Sequence, residues 1–114
     1  MKRKLFTSNF NTCGGSKCVA ICLYPPKNWK WRWFRLLAPD PPLLSEYKRG
    51  IIDNEEYAIR YYTLLNNRRL SPLKVFNELG NESVLLCYEK STEFCHRHLL
   101  VGWFGKAGIE VTEI

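Results

Sequence analysis

Apolar and polar positions change their spacing along the chain, and the changes divide it into strands and helices. The first apolar stretch, Lys4–Thr7, is short and runs into Ser8-Asn9-Phe10-Asn11, which predicts a strand with hydroxyls and amides at its C-terminal end. Cys18–Leu23 is continuous and apolar, the pattern of a strand covered on both faces. It stops at Tyr24-Pro25-Pro26, where two prolines remove ladder donors. Leu36–Pro42 carries three prolines and reads as irregular, and a short helix is predicted from Pro42 or Leu43 to Arg49, ending at Gly50.

The next helix is better marked. Asp53 is its predicted N-cap, Glu56 stands three positions on, and Tyr57, Tyr61, Leu64 and Leu65 form an apolar stripe that ends near Asn66-Asn67. Ser71-Pro72 opens a further helix through Leu79, which Gly80 terminates. Val84–Cys87 reads as a buried strand. A last helix begins near Thr92–Cys95 with the stripe Leu99, Leu100, Trp103 and Phe104, and Ile109–Ile114 alternates like an edge strand. The order β, β, three helices, β, α, β predicts one domain over residues 1–114: a small three-layer α/β fold with a mostly parallel four-stranded sheet covered by helices. A two-layer α+β arrangement is the alternative.

Length and charge narrow the function. A chain of 114 residues has material for one core and not two. No apolar run approaches the roughly 20 residues needed to span a bilayer, which predicts no membrane embedding. Met1-Lys2-Arg3-Lys4 leads into a mixed segment unlike a secretion signal, and the five cysteines are odd in number. Both features predict a cytoplasmic protein with thiols free or bound to metal. A net charge of +6 tilts the partner toward an anion, such as a nucleotide, a phosphorylated metabolite or nucleic acid. No pattern names a cofactor or an oligomeric state, and whether the chain is an enzyme stays open.

The chemistry concentrates in Ser83–Leu100, SVLLCYEKSTEFCHRHLL. A strand followed at once by a helix whose N-terminus holds Cys, His and Arg is where an open α/β sheet places its ligands. Arg97 in the first turn offers a bidentate fork to a phosphate or carboxylate, beside free N–H groups and the helix dipole. Equally, Arg97 pairs with Glu89 or Glu93 and fixes the loop. Ser8 and Tyr24, at the ends of the first two strands, fall along the same edge and would complete an anion pocket with aromatic walls. Glu89 is the candidate general acid or base, given a desolvated site. Cys87 and Cys95 are candidates for a nucleophile or a redox pair, and a thiol at a helix N-terminus beside His and Arg favours Cys95. Neither a C-x5-R phosphatase loop nor a Cys-x-x-Cys pair is present.

LLCYEKSTEFCHRHLL resembles the signature of the widespread bacterial family catalogued as domain of unknown function 488: an apolar strand, Cys-x-Glu-Lys, then Cys-His-Arg-His opening a helix. The early TSNF, Tyr24-Pro25-Pro26 and Leu37-Ala38-Pro39 fit the same pattern, so the likeness spans nearly the whole chain. The resemblance implies a small α/β domain and assigns no reaction.

Zinc is disfavoured by spacing. Cys95, His96 and His98 on one helical turn point about 100° apart per residue, so convergence on one ion would unwind the turn. His96 falls on the line of Leu100, Trp103 and Phe104 and reads as a buried histidine that locks the helix to the strand loop, with His98 left as a structural or site residue. No metal is therefore assigned.

Lys27–Arg35, KNWKWRWFR, alternates cations with indoles. If extended, it would put Trp29, Trp31 and Trp33 on one face, a stacking platform of the kind single-stranded nucleic acid prefers. A domain this small also needs large apolar side chains to close its core, which favours indoles folded over the sheet with cations reaching water. Two functions follow. One is binding or action on a nucleotide-like or phosphorylated small molecule at the C-terminal edge of the sheet, with Arg97 on the anion, Glu89 or Cys95 in chemistry, and Tyr24 and Trp31 as walls. The alternative is a single-stranded nucleic-acid-binding or accessory module built on Lys27–Arg35. Gly14-Gly15 lacks a P-loop pattern and reads as a turn.

Overall fold

The structure, a computed structural model, describes residues 2–11, 14–89 and 94–114. Its elements in order are β1 (Lys4–Asn9), β2 (Cys18–Ala20), β3 (Arg32–Trp33), α1 (Pro41–Lys48), α2 (Asn54–Asn67), α3 (Pro72–Leu79), β4 (Val84–Cys87), α4 (His96–Gly105) and β5 (Glu110–Glu113). A short 3-10 turn at Arg35–Leu37 leads toward α1. The strands form one sheet in the order β3-β2-β4-β1-β5, and every neighbouring pair runs parallel. This is the small parallel α/β domain that the pattern predicts, with five strands in place of four. The added strand is β3, whose two residues pair Arg32 with Val19 and Trp33 with Ala20. Two residues carry no periodicity, so only the pairing partner reveals them.

The helices begin where short-range chemistry dictates. Asp40, Asp53 and Ser71 each sit in extended backbone, and their side chains accept from the N–H three residues on, satisfying one orphan donor apiece. Pro41 and Pro72 occupy first-turn positions where a missing N–H costs nothing. The Asp40 cap starts α1 at Pro41, ahead of the predicted Pro42 or Leu43. Gly80 ends α3 at φ +91, a region that side-chain-bearing residues avoid.

Connection handedness then sets the layers. The steps β3 to β4 and β4 to β5 run the same way across the sheet, and right-handed crossovers put their helices on one face. The core agrees. Leu43 of α1, Tyr61 of α2, Phe76 of α3 and Leu100 of α4 join Leu5, Val19 and Leu85 of the sheet in one cluster. The steps β1 to β2 and β2 to β3 run the opposite way. On that second face Phe6, Phe10 and Trp29 pack against Cys18, Val84 and Leu86. The expected third layer is thus made, among the described residues, by side chains from strands and connections and not by a helix.

Trp29 meets Phe10 edge-on at 5.0 Å and donates its indole N–H to the Arg32 carbonyl, whereas Trp31 and Trp33 stay partly exposed. Only Arg32 and Trp33 of this stretch are in strand conformation, so the extended alternation over residues 27–35 does not form. No helix among the described residues is long and apolar enough to cross a membrane.

Helix α2 also fixes the segment that enters α1. Its fully buried Tyr61 donates a hydrogen bond of 2.7 Å to the Leu37 carbonyl, and Arg68 donates to the carbonyls of Leu36 and Ala38. Tyr61→Phe would strand a buried acceptor, so it should lower the unfolding free energy by about 1–3 kcal/mol with an unchanged denaturant slope in urea titration. A loss below a few tenths would show that water reaches that carbonyl.

Candidate functional site

Neighbouring strands β2 and β4 send their chains in opposite directions, β2 toward β3 and β4 toward β5. Open α/β sheets bind ligands in the crevice beyond the strand ends at such a switch point. A cavity of about 520 Å³ opens there, within the range of small-molecule sites. Cys22, Leu23 and Tyr24 reach it from the end of β2, and Cys87, Tyr88 and Glu89 from the end of β4. Cys95 and His96 border it from the start of α4, and Tyr47, Lys48, Asn54 and Tyr57 from α1 and α2.

Its aromatic wall is braced. Tyr47, Tyr57 and Phe94 hold one another with ring centroids 5.0–5.5 Å apart, and the Tyr47 hydroxyl donates to Asn54 Oδ1. At the lip, the Tyr88 hydroxyl donates to the Tyr24 carbonyl, tying the segments after β4 and β2 together.

The cavity ends in sulfur and imidazole. Cys87 and Cys95 are joined as a disulfide. His96 is buried, and its Nε2 lies 2.7 Å from the Ile21 carbonyl, a group that only accepts, so Nε2 carries the proton. Burial pushes the imidazole pKa down to about 4, against the pull of that carbonyl and aided by the Arg97 charge. The ring is therefore neutral near pH 7, and its bare Nδ1 stands 3.6 Å from Cys95 Sγ. Cys22 differs: it is buried, free, and its thiol pKa is raised by burial to about 11, which makes it a poor nucleophile. Cys18 is also engaged, so the expectation of free thiols holds, among the described residues, for Cys22 alone.

Behind the sulfurs lies Arg97, fully buried. Its Nε and Nη2 donate to the two oxygens of Glu113 at 3.1 and 2.9 Å, and its Nη1 to Cys87 Sγ at 3.0 Å and the Glu89 carbonyl at 2.7 Å. Burial of the Glu113 carboxyl opposes its ionisation, but the Arg97 guanidinium and the Thr7 hydroxyl hold its pKa below the ordinary value. An internal carboxylate thus occupies the fork that the sequence offered to an external anion. Among the described residues the partner is Glu113 and not the Glu89 side chain; Glu93, the other expected partner, lies outside the described residues.

Of the residues singled out by sequence, the fold brings Tyr24, Cys87, Glu89, Cys95 and His96 together around one cavity. The others lie elsewhere. Ser8 is buried and donates to the Ile114 carbonyl, and His98 faces Glu113, with Nδ1 4.0 Å from its carboxylate. Trp31 stands with Lys30 near its ring, outside the cavity lining. Tyr47, Tyr57, Lys48 and Asn54 were not foreseen as site residues, since a tyrosine in an apolar helical stripe is indistinguishable from core.

The spacing objection to metal needs correction. That objection places Cys95, His96 and His98 on one helical turn. Cys95 is instead the N-cap of α4, in extended backbone at φ −155 and ψ 150. Freed from the 100° rotation, its side chain meets His96 and, from β4, Cys87. The ligating atoms of these three lie within 4.8 Å of one another.

Fold and site define a small parallel α/β domain with a cysteine- and histidine-floored cavity at the sheet's switch point. The chain belongs to the DUF488 family: residues 14–108 match the family described as DUF488-N3a, the active DUF488-N3 subclade. No curated protein and no solved structure matches it.

Removing one partner of the Arg97–Glu113 pair would leave an uncompensated buried charge. Glu113→Ala should therefore cost about 3–5 kcal/mol in urea unfolding at pH 7. The pair also sets an acid dependence. Because the folded pKa of Glu113 lies below its ordinary 4.5, its contribution is full above that value and lost as pH falls further. Wild-type protein should lose stability below pH 4.5 more steeply than Glu113→Gln, and parallel curves would count against the pair.

Proposed function

We propose that this domain binds, and acts on, a nucleotide-like or phosphorylated small molecule in the cavity at the C-terminal edge of the sheet. One observation carries this: the switch-point cavity unites an aromatic wall, a carboxylate and a sulfur–imidazole floor in a single volume. Tyr24, 66% exposed, is the free aromatic face at the lip and suits a planar base. Lys48 supplies the cation in the lining. The first turn of α4, which has no side-chain cap, supplies N–H groups beside Cys95 and His96. The overall charge of +6 favours the same kind of ligand.

Arg97 takes a different part from a direct ligand. It holds Cys87, the Glu89 backbone and β5 in register, so that Glu89 and Cys95 are presented to the cavity. Glu89 is the acid or base, and Cys95 brings its sulfur beside a neutral His96. That the subclade is described as active accords with chemistry and not binding alone.

Nucleic-acid binding along residues 27–35 has one observation in its favour. Trp31 and Trp33 are partly exposed, and Lys30 and Arg35 lie 5.3 and 5.7 Å from their ring centres. With Trp29 folded against Phe10, the platform shrinks to two rings.

A panel of nucleoside monophosphates, nucleoside diphosphates and sugar phosphates, read by thermal shift and calorimetry, tests the cavity. At least one compound should bind, and Tyr24→Ala should weaken it about tenfold or more without lowering the melting temperature, since stacking on one ring is worth about 1–3 kcal/mol. Lys48→Ala should weaken phosphorylated compounds more than the parent nucleosides. Binding indifferent to both changes, but lost and flattened in salt dependence by Lys30→Ala with Trp31→Ala, would move the function to the basic strip.

A further inference from the structure

We propose that Cys87, Cys95 and His96 form a zinc site with three protein ligands and a fourth position open to the cavity. The inference deepens the function above and rests on it for the role of that fourth position.

The first support is distance. A tetrahedral zinc ion with Zn–S of about 2.3 Å and Zn–N of about 2.0–2.1 Å sets an S···N edge of about 3.6 Å. Cys95 Sγ and His96 Nδ1 are 3.6 Å apart. The structure joins the two sulfurs as a disulfide; once it is reduced, an ion between them would set them about 3.8 Å apart. The backbone has room for this: the Cys87 and Cys95 Cα atoms are 7.8 Å apart, beyond the roughly 4.4–6.8 Å usual for a bridged pair.

The second support is what surrounds the ligands. Metal-bound histidines usually donate their other ring N–H to a carbonyl or carboxylate, which fixes the tautomer and aims the bare nitrogen. His96 does so through Nε2 to Ile21. Thiolates, not thiols, bind metal, and Arg97 Nη1 at 3.0 Å from Cys87 Sγ favours the anion. Charge closes as well. Two thiolates neutralise one divalent zinc, and Arg97 and Glu113 neutralise each other, so the filled site buries no net charge.

Soft sulfur with one imidazole selects zinc over magnesium or calcium. Three protein ligands and one open position are the arrangement of catalytic rather than structural zinc. Glu89 lines the same cavity but stands outside the ligand group, placed to exchange a proton with whatever fills the fourth position. The disulfide first takes two electrons and two protons from a thiol or phosphine reductant; zinc then binds the reduced pair, the two thiol protons leave to solvent and no further electron moves.

The test uses the full chain, reduced with a phosphine, stripped with a chelator and titrated with zinc alone under anaerobic conditions. Mass spectrometry in native buffer should show one zinc per chain. Cobalt(II) in its place should give a thiolate charge-transfer band and the visible bands of a tetrahedral ion. Cys95→Ser and His96→Gln should each weaken zinc by at least about a hundredfold, whereas His98→Gln should leave its affinity unchanged. Circular dichroism checks each variant for folding; if both fail, the wild-type cobalt spectrum decides, and its lacking the thiolate band overturns the site.

Reduced protein that takes up no stoichiometric zinc also overturns it, whether or not the unreduced chain is lighter by the two hydrogens of a disulfide. So does zinc that survives both substitutions. The nucleotide panel on chelated protein separates this from the cavity reading. Compounds that bind the reduced but zinc-refractory chain leave the cavity in place and sink the metal. Zinc uptake with no compound bound does the reverse.

Discussion

A single fully buried guanidinium holds the working end of this domain together. Arg97 starts in the first turn of α4, reaches the last strand through Glu113, and touches the end of β4 through Cys87 Sγ and the Glu89 carbonyl. A buried charge is costly unless it is paired and fully hydrogen-bonded, so these partners have little freedom to shift independently. Three separate segments are thereby registered to within hydrogen-bond tolerance. The cavity residues Cys87, Glu89, Cys95 and His96 sit on two of those segments, so the geometry of the site is inherited from the ion pair behind it.

Topology supplies the space that Arg97 then furnishes. Both long crossovers run the same way across the sheet, so all four helices share one face and α1, α2 and α4 gather near the β2 and β4 ends. The chain leaves those two strands in opposite directions, which opens a crevice between their ends. The opposite face is closed economically by Phe10 and Trp29. This use of Trp29 is why the Trp and cation alternation does not become one aromatic platform.

What the sequence made legible follows the range of the forces involved. Helix starts at Asp53 and Ser71, the stop at Gly80 and the buried β4 run depend on residues within a turn or a strand, and each was readable in place. The ligand edge and five of its residues were readable because strand–loop–helix order confines chemistry to one end of the sheet. Two features depend on distant partners. Strand β3 exists only through Val19 and Ala20, and the fork of Arg97 is filled by Glu113, sixteen residues on and on another element. Nothing near Arg97 in sequence distinguishes a carboxylate supplied by the protein from one supplied by a ligand. The misjudged convergence of Cys95 and His96 has a local cause: one residue's shift of the helix start changes a 100° rotation into an extended step.

That shift bears on why α4 begins as it does. Three of the four α-helices carry Asp or Ser at the N-cap, each bonded to a first-turn N–H. The fourth carries Cys95, with no side-chain cap bond, which forgoes about 1 kcal/mol of local stability. Sequences that satisfy local rules elsewhere tend to break them at functional sites and recover the loss through other contacts. Here the recovery is visible in the Ile21 bond to His96 and the four contacts of Arg97, which pin the first turn without a cap. An aspartate at position 95 would seal those N–H groups and remove the sulfur from His96 Nδ1. The cysteine leaves both at the cavity's edge, so among the four α-helices the start without a side-chain cap bond is the one whose N-cap borders the cavity.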